Sequence, residues 1–179
     1  MSTSELIELA RAIDARCRLR GEFVLRSGQV ATQYFDKYLF ESDPALLRPV
    51  VRQMVPLIPS QTELLGGLEL GGVPLATMLS SITGLPTLFV RKEAKTYGTC
   101  RLAEGESPRG RVVLLVEDVI TTGGAVRNAA LALRGEGATV TAVVCVIDRS
   151  VGGTEPLRQD QLDVHAVMTK DVLDSVAAT

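Results

Sequence analysis

Residues 111–125 read Arg-Val-Val-Leu-Leu-Val-Glu-Asp-Val-Ile-Thr-Thr-Gly-Gly-Ala. Positions 112–116 are an unbroken apolar run, three of them valine, and such a run predicts a strand buried on both faces. Glu117 and Asp118 stand where that strand is expected to end. Thr121, Thr122, Gly123 and Gly124 then lead into 125–134, whose helix formers and apolar spacing predict a helix. The order is strand, acidic pair, small-residue loop, helix.

That order makes two opposite electrostatic demands. A loop at a helix N-terminus offers unpaired backbone N–H groups and the positive end of the helix dipole, which favour an anion. Glycines let a phosphate approach the backbone and threonine hydroxyls add donors. The two carboxylates instead require sugar hydroxyls, a metal or an amine. A ligand with a phosphate at one end and a ribose diol beside it meets both demands. No lysine follows the glycines, so the loop is not a Walker A loop.

Working outward, 62–65 predicts a strand and 66–72 (Gly-Gly-Leu-Glu-Leu-Gly-Gly) a second glycine-rich turn before a helix from 73 or 74 to about 82. Residues 87–90 predict a strand, and Arg91, Lys92 and Lys95 leave it at a spacing that lets them converge on an anion. From 92 to 109 apolar periodicity is lost, which predicts a long mobile loop. Residues 139–147 predict another buried strand. It ends in Asp148-Arg149, which places an arginine suited to a planar carboxylate on the ligand side of the sheet. Before the sheet, 4–18 predicts an amphipathic helix. Short strands are expected within 21–28 and at 34–36. Asp43-Pro44 predicts a helix cap with proline in the first turn, and the helix continues through 57. Residues 163–168 predict a final strand holding the single histidine, His165, which is read as structural.

Composition bounds the function classes. The chain has 179 residues, 46% hydrophobic and 22% charged, with a formal net charge of −2. This predicts one domain, 1–179, with an adequate core. The acidic balance argues against nucleic acid as a partner. No apolar run reaches membrane-spanning length, and no signal peptide is expected. Cys17, Cys100 and Cys145 have no metal-ligand spacing and point to a reducing, cytoplasmic setting.

The 111–125 run resembles the phosphoribosyl diphosphate (PRPP) motif of type I phosphoribosyltransferases. Arg-Lys-Glu-Ala-Lys-x-x-Gly at 91–98 resembles the catalytic loop of the orotate phosphoribosyltransferases, and Gly-Glu-Phe-x-Leu-Arg-Ser-Gly at 21–28 with Tyr34-Phe35 resembles their N-terminal hood. The resemblance spans roughly 21–153. It implies an α/β fold of the type I phosphoribosyltransferase kind, a mostly parallel central sheet flanked by helices, with hood elements at about 19–40 and a mobile catalytic loop at about 92–109. It implies transfer of phosphoribosyl from PRPP to orotate, with magnesium as cofactor but no dedicated protein metal ligands.

The resemblance implies catalytic roles for Lys95, Lys92 and Asp118. PRPP contacts are implied for Arg91, Lys92, Lys95, Tyr97, Glu117, Asp118, Val119, Ile120, Thr121, Thr122, Gly123, Gly124 and Ala125. Orotate contacts are implied for Thr121, Arg149, Arg26, Tyr34 and Phe35. It further implies a homodimer whose Lys95 loop serves the neighbouring subunit. Three departures stand out: Arg26 where lysine is common, Tyr97 where histidine is usual, and Glu69-Leu70 where many relatives carry a basic residue. The rival expectations are a transferase for a purine or uracil, a non-catalytic PRPP sensor, and a Rossmann-type methyltransferase.

Overall fold

The computed structural model describes residues 3–24, 28–93, 102–150 and 153–177. A helix, α1 (Thr3–Cys17), precedes a hairpin of β1 (Arg18–Val24) and β2 (Val30–Phe35). A short α2 (Tyr38–Glu41) and α3 (Pro44–Met54) follow. Then come β3 (Leu64–Leu68), α4 (Gly72–Thr83), β4 (Thr87–Val90), β5 (Ala103–Gly105) and β6 (Val112–Ile120). The chain continues with α5 (Gly124–Gly135), β7 (Thr139–Asp148), α6 (Glu155–Gln159), β8 (Asp163–Thr169) and α7 (Lys170–Ala177).

The hairpin is a separate two-stranded sheet, and the main sheet runs β5-β4-β3-β6-β7-β8. All its pairings are parallel except β4 with β5. Strand alternation divides the core. Val113 and Leu115 of β6 and Val143 and Cys145 of β7 face α5, while Leu114, Val116, Val144 and Val146 pack with α1, α3 and α4. Each fully buried valine or leucine contributes about 1.5–3 kcal/mol, so both layers hold the sheet rigid beneath the loops. Order reverses between β3 and β6, and crevices at such a switch point are where ligands bind in open α/β sheets. The expected fold is the one found.

Asp43 caps α3 as expected, its Oδ1 accepting from the N–H of Ala45 at 2.9 Å with Pro44 next. Four expected boundaries need correction. The second hood strand begins at Val30 and pairs back to β1 along its length. Gly66 and Gly67 lie inside β3 rather than in the turn, and the turn is only 69–71. A Cβ on Gly72 would sit 2.1 Å from the carbonyl oxygen of Val116, and one on Gly67 would sit 2.8 Å from that of Gly72. These glycines therefore let the start of α4 lie directly on β3 and β6. Glu117 and Asp118 do not follow β6 but belong to it, because pairing with β7 continues through Ile120 with Asp148. Finally, 92–109 is not loop throughout: Val90 pairs with Ala103 and Leu88 with Gly105, which adds β5 to the sheet edge.

Candidate functional site

The C-terminal ends of β3, β4, β6 and β7 carry the residues singled out above. At β6, the chain leaves through Thr121 and Thr122 to Gly123, which takes φ +73°, ψ 0° as N-cap of α5. That left-handed turn costs a glycine little and aims the first-turn N–H groups of α5 into the loop. A small cavity of about 80 Å³ lies there, bordered by Glu117, Thr121, Thr122, Gly123 and Gly124, with Val119, Ile120 and Ala125 completing its wall. Leu157 of α6 packs so closely over Gly123 that an added Cβ would meet it at 2.9 Å.

The acidic pair is divided by the pleat. Successive strand residues point to opposite faces. Glu117 borders the loop cavity, while Asp118, with no solvent exposure, turns towards Gly71 on the other side. Of the three partners the sequence left open for these acids, the described structure supplies an amine: Lys37 Nζ lies 2.6 Å from Asp118 Oδ2. Glu41 joins them, buried to 7% exposure. Backbone amides add to the order: the N–H of Asp118 donates to Glu117 Oε1 at 3.1 Å and that of Val119 to Asp118 Oδ1 at 2.5 Å.

Three carboxyl groups and one ammonium in so small a volume cannot all keep their solution charge. Burial, then the hydrogen bond and negative charge of Asp118, push Glu41 up to about 9. The same causes push Glu117 up to about 9. For Asp118, burial works upward, but hydrogen bonds from Glu117, Glu41 and Lys37, with the Lys37 charge, outweigh it and hold Asp118 below the usual carboxylate range. Burial works to lower Lys37, yet Asp118 overrides it and keeps Lys37 above its ordinary value. At neutral pH the cluster therefore holds one carboxylate, one ammonium and two protonated acids.

A second cavity, about 210 Å³, lies where β3 and β4 end and includes Glu69, Arg91, Lys92, Ala125 and Asn128. Arg91 and Lys92 thus face one space. The N–H of Lys92 donates to Glu69 Oε2 at 3.0 Å, so Glu69 ties the chain leaving β4 to the β3 turn. A third cavity, about 490 Å³ and wide open, brings Thr121 and Thr122 together with Arg149 and Lys170. The Arg149 guanidinium lies 5.6 Å from the centre of the Phe35 ring, which joins the hood to the sheet. Tyr34 turns aside to stack on Phe23 at 5.6 Å. Arg26, Lys95 and Tyr97 lie outside the described residues.

Residues not anticipated are Asn128 and Lys170, which line cavities, and Lys37 and Glu41, which meet Asp118. Lys37 and Glu41 follow Tyr34-Phe35-Asp36 and belong to no motif. Their partner Asp118 lies on a distant strand, so no spacing rule links them. Lys170 opens α7 and also pairs with Asp174 one turn on. Among the described residues no three histidine, cysteine or acidic side chains converge as a metal cage. The acids that come nearest to one already hold an ammonium.

Residues 60–166 match the phosphoribosyl transferase domain family. The chain is 65% identical over 167 residues to an orotate phosphoribosyltransferase of a Nocardioides species, covering 93% of each. It is 39% identical over 170 residues to an orotate phosphoribosyltransferase of Methanocella arvoryzae, covering 95% of this chain and 96% of that one. Among solved structures, the orotate phosphoribosyltransferase of Mycobacterium tuberculosis in complex with PRPP superposes with a TM-score of 0.80 at 29% identity, covering 95% of this chain and 99% of that one. The Aeropyrum pernix orotate phosphoribosyltransferase superposes at 0.81 and 30% identity, covering 96% and 99%.

Proposed function

The chain belongs to the orotate phosphoribosyltransferase family, and from that premise we propose that it transfers the 5-phosphoribosyl group of PRPP to orotate, giving orotidine 5′-monophosphate and pyrophosphate. The observation that carries this reading is the 490 Å³ cavity that joins the Thr121-Thr122 loop to Arg149, with Arg149 set over Phe35. A phosphate-binding helix start and a carboxylate-binding arginine beside an aromatic ring are what a ribose phosphate and a planar carboxylated base require together.

In this reading the first turn of α5 and the hydroxyls of Thr121 and Thr122 hold the 5-phosphate. Glu117, on the loop-cavity side of β6, and Asp118, on the Gly71 side, are assigned to the ribose hydroxyls; Asp118 has no exposure of its own, so the ribose reaches it where Lys37, a third exposed, covers it. Breaking the anomeric bond builds positive charge on the ribose and negative charge on the departing pyrophosphate. Arg91, Lys92 and Lys95 meet that negative charge, which is the chief electrostatic task of the reaction. Arg149 takes the orotate carboxylate, with Phe35 against the ring and Tyr34 and Arg26 at the hood edge. The ring nitrogen attacks as an anion, so the site needs no dedicated general base. Tyr97 stands two residues after Lys95 in the catalytic-loop sequence and is assigned to PRPP with it, at a step where water must be kept from the ribosyl centre.

The residues fit magnesium only as an ion brought in with the substrate: Asp118 is engaged by Lys37, so Glu117 and Asp118 would not serve as dedicated ligands, as is common in phosphate sites. Magnesium would supply charge neutralisation of the leaving pyrophosphate. We place the reaction in one domain, in a homodimer whose Lys95 loop acts on the neighbouring site. Mixing Lys95→Ala with Asp118→Asn protein tests that sharing. Partial recovery of activity on subunit exchange supports it, and no recovery with exchange demonstrated refutes it. No helix among the described residues is long and apolar enough to cross a membrane.

The function is tested by following orotate absorbance with PRPP and magnesium, beside uracil, hypoxanthine and adenine. Orotate loss that requires both PRPP and magnesium supports the reading. Turnover of another base instead would reassign Arg149 and the acceptor.

A further inference from the structure

Glu41 has no place in the account above, yet its position is unusual. As a bare carboxylate oxygen its buried Oε1 has no donor to bond, whereas buried polar groups in proteins are nearly always satisfied. What lies beside it is Asp118. A point one Cβ bond from Gly71 is 1.8 Å from Asp118 Oδ2 and 2.8 Å from Glu41 Oε1, so the two oxygens converge on the same side of that glycine. Two carboxylate oxygens repel when both are bare. They attract when one proton lies between them, and then neither lacks a partner. Lys37 Nζ, on the same Asp118 oxygen at 2.6 Å, is the one cation in the group, with a third of its side chain reached by solvent.

We propose that Glu41 and Lys37 are positioning residues for PRPP binding: Glu41 donates its proton to Asp118, Lys37 keeps Asp118 ionised, and together they fix the carboxylate that meets the ribose hydroxyls. This rests on the reading of the site as a PRPP site. The physical need is plain. Asp118 lies on a strand face away from the loop cavity, in contact with other acids, and alone would take up a proton and lose its grip as an acceptor. One ammonium cannot satisfy three carboxylates, but one ammonium and two protons can. Glu41 comes from α2, next to the hood, so the arrangement also joins the hood to the end of β6.

The titratable groups that face Glu41 are Asp118 and Glu117 from β6, with Lys37 from the turn before α2. Lys37 also faces Tyr38, and Cys145 of β7 lies beside Glu117 and Asp118. Of these, Glu41 and Glu117 both lose a proton near pH 9; Glu41 is the one outside the proposed contacts with PRPP, and its replacement by glutamine keeps a donor that cannot ionise.

The test is calorimetric titration of PRPP into the full-length protein between pH 6 and 9.5, for wild type, Glu41→Gln, Lys37→Met and Lys37→Arg, with circular dichroism to show that each is folded. In wild type, loss of a proton with a midpoint near 9 weakens PRPP binding about fourfold between pH 8 and 9.5. In Glu41→Gln that fourfold share disappears, leaving only what loss of the Glu117 proton contributes. Lys37→Met weakens binding by roughly tenfold or more at pH 7 and makes it fall further as pH drops, because Asp118 then takes up a proton. Lys37→Arg restores most of the loss. An unchanged alkaline fall in Glu41→Gln, or wild-type affinity in Lys37→Met, overturns the proposal. If wild type binds no PRPP at all, the reading of the site fails. The shared proton is then decided in the free protein, where wild type must lose stability between pH 6 and 8.5 more steeply than Glu41→Gln.

Discussion

Gly71→Ala isolates the geometry on which Asp118 depends. Gly71 has φ −65° and ψ −30°, a conformation alanine adopts freely, so the substitution adds no backbone strain. What it adds is a methyl group 1.8 Å from Asp118 Oδ2, 2.4 Å from Asp118 Cγ and 2.8 Å from Glu41 Oε1. Ordinary contact begins at 3.4 Å, so the oxygen must retreat by 3.4 − 1.8 = 1.6 Å. Asp118 is fully buried and held by Lys37 on one oxygen and the N–H of Val119 on the other, so it has little room to do so. Overpacking of this kind costs about 1–3 kcal/mol. For a domain of this size, each kcal/mol corresponds to about 2–4 °C in Tm. The effect on function is larger, since misplacing a binding group by about 1 Å can cost on the order of a hundredfold. Calorimetric titration should show PRPP Kd raised by at least about tenfold, with thermal unfolding a few degrees lower. Gly135→Ala is the control. It lies in α5 with nothing within 4 Å of its added methyl, so it should raise stability by about 0.5–1 kcal/mol and leave PRPP binding alone. If Gly71→Ala binds PRPP as tightly as wild type, Asp118 does not act from the position described.

Arg149→Ala should raise KM for orotate about ten- to a hundredfold, the worth of a hydrogen bond to a charged group. PRPP affinity should move far less, and the preference for orotate over uracil should narrow; steady-state kinetics with both bases read this directly. Asp43→Ala removes the α3 cap and should cost about 1 kcal/mol, seen as a fall of about 2–4 °C in Tm with PRPP affinity retained. Stability should also depend on pH. Glu41 and Glu117 titrate near 9 in the folded chain and near 4.5 when unfolded. Their contribution is complete below about 4.5 and is lost as pH rises towards 9, with a slope of at most about 1.4 kcal/mol per pH unit for each. Asp118, held low, works the other way, only below its unfolded value of 3.8. Urea unfolding at pH 6 and pH 8.5 should therefore find wild type less stable at the higher pH, with the difference reduced in Glu117→Gln. A stability that rises with pH over this range would contradict the charge assignment.

Much of the fold was legible because its signals are local. The valine-rich run at 112–116, the alanine- and leucine-rich helix after Gly124, the cap at Asp43-Pro44 and the strand at 87–90 each lie within a few residues of their cause. The failures have a common origin in packing between distant segments. Gly66 and Gly67 read as a turn because glycine is rare inside strands. The reason for them is the start of α4 lying against β3, which no local pattern shows. The acids at 117 and 118 read as strand-ending residues because charge is costly in a buried strand. They are tolerated because Lys37 and Glu41 come from another part of the chain to share the charge. The candidate site was legible where a loop carries it, as at 121–125. It was not legible where a strand face and a turn before α2 build it jointly. Lys170 was hidden for the same reason, since only the fold brings the start of α7 to Arg149.

The central claim is that this site joins the ribose of PRPP to orotate, and phosphorus NMR of a single reaction tests it most directly. With protein, magnesium, PRPP and orotate present, the diphosphate signals of PRPP should give way to free pyrophosphate in equal amount with the phosphate signal of orotidine 5′-monophosphate. Omitting orotate should leave PRPP intact. Release of pyrophosphate without the nucleotide, or PRPP unchanged in the complete mixture, would contradict the account.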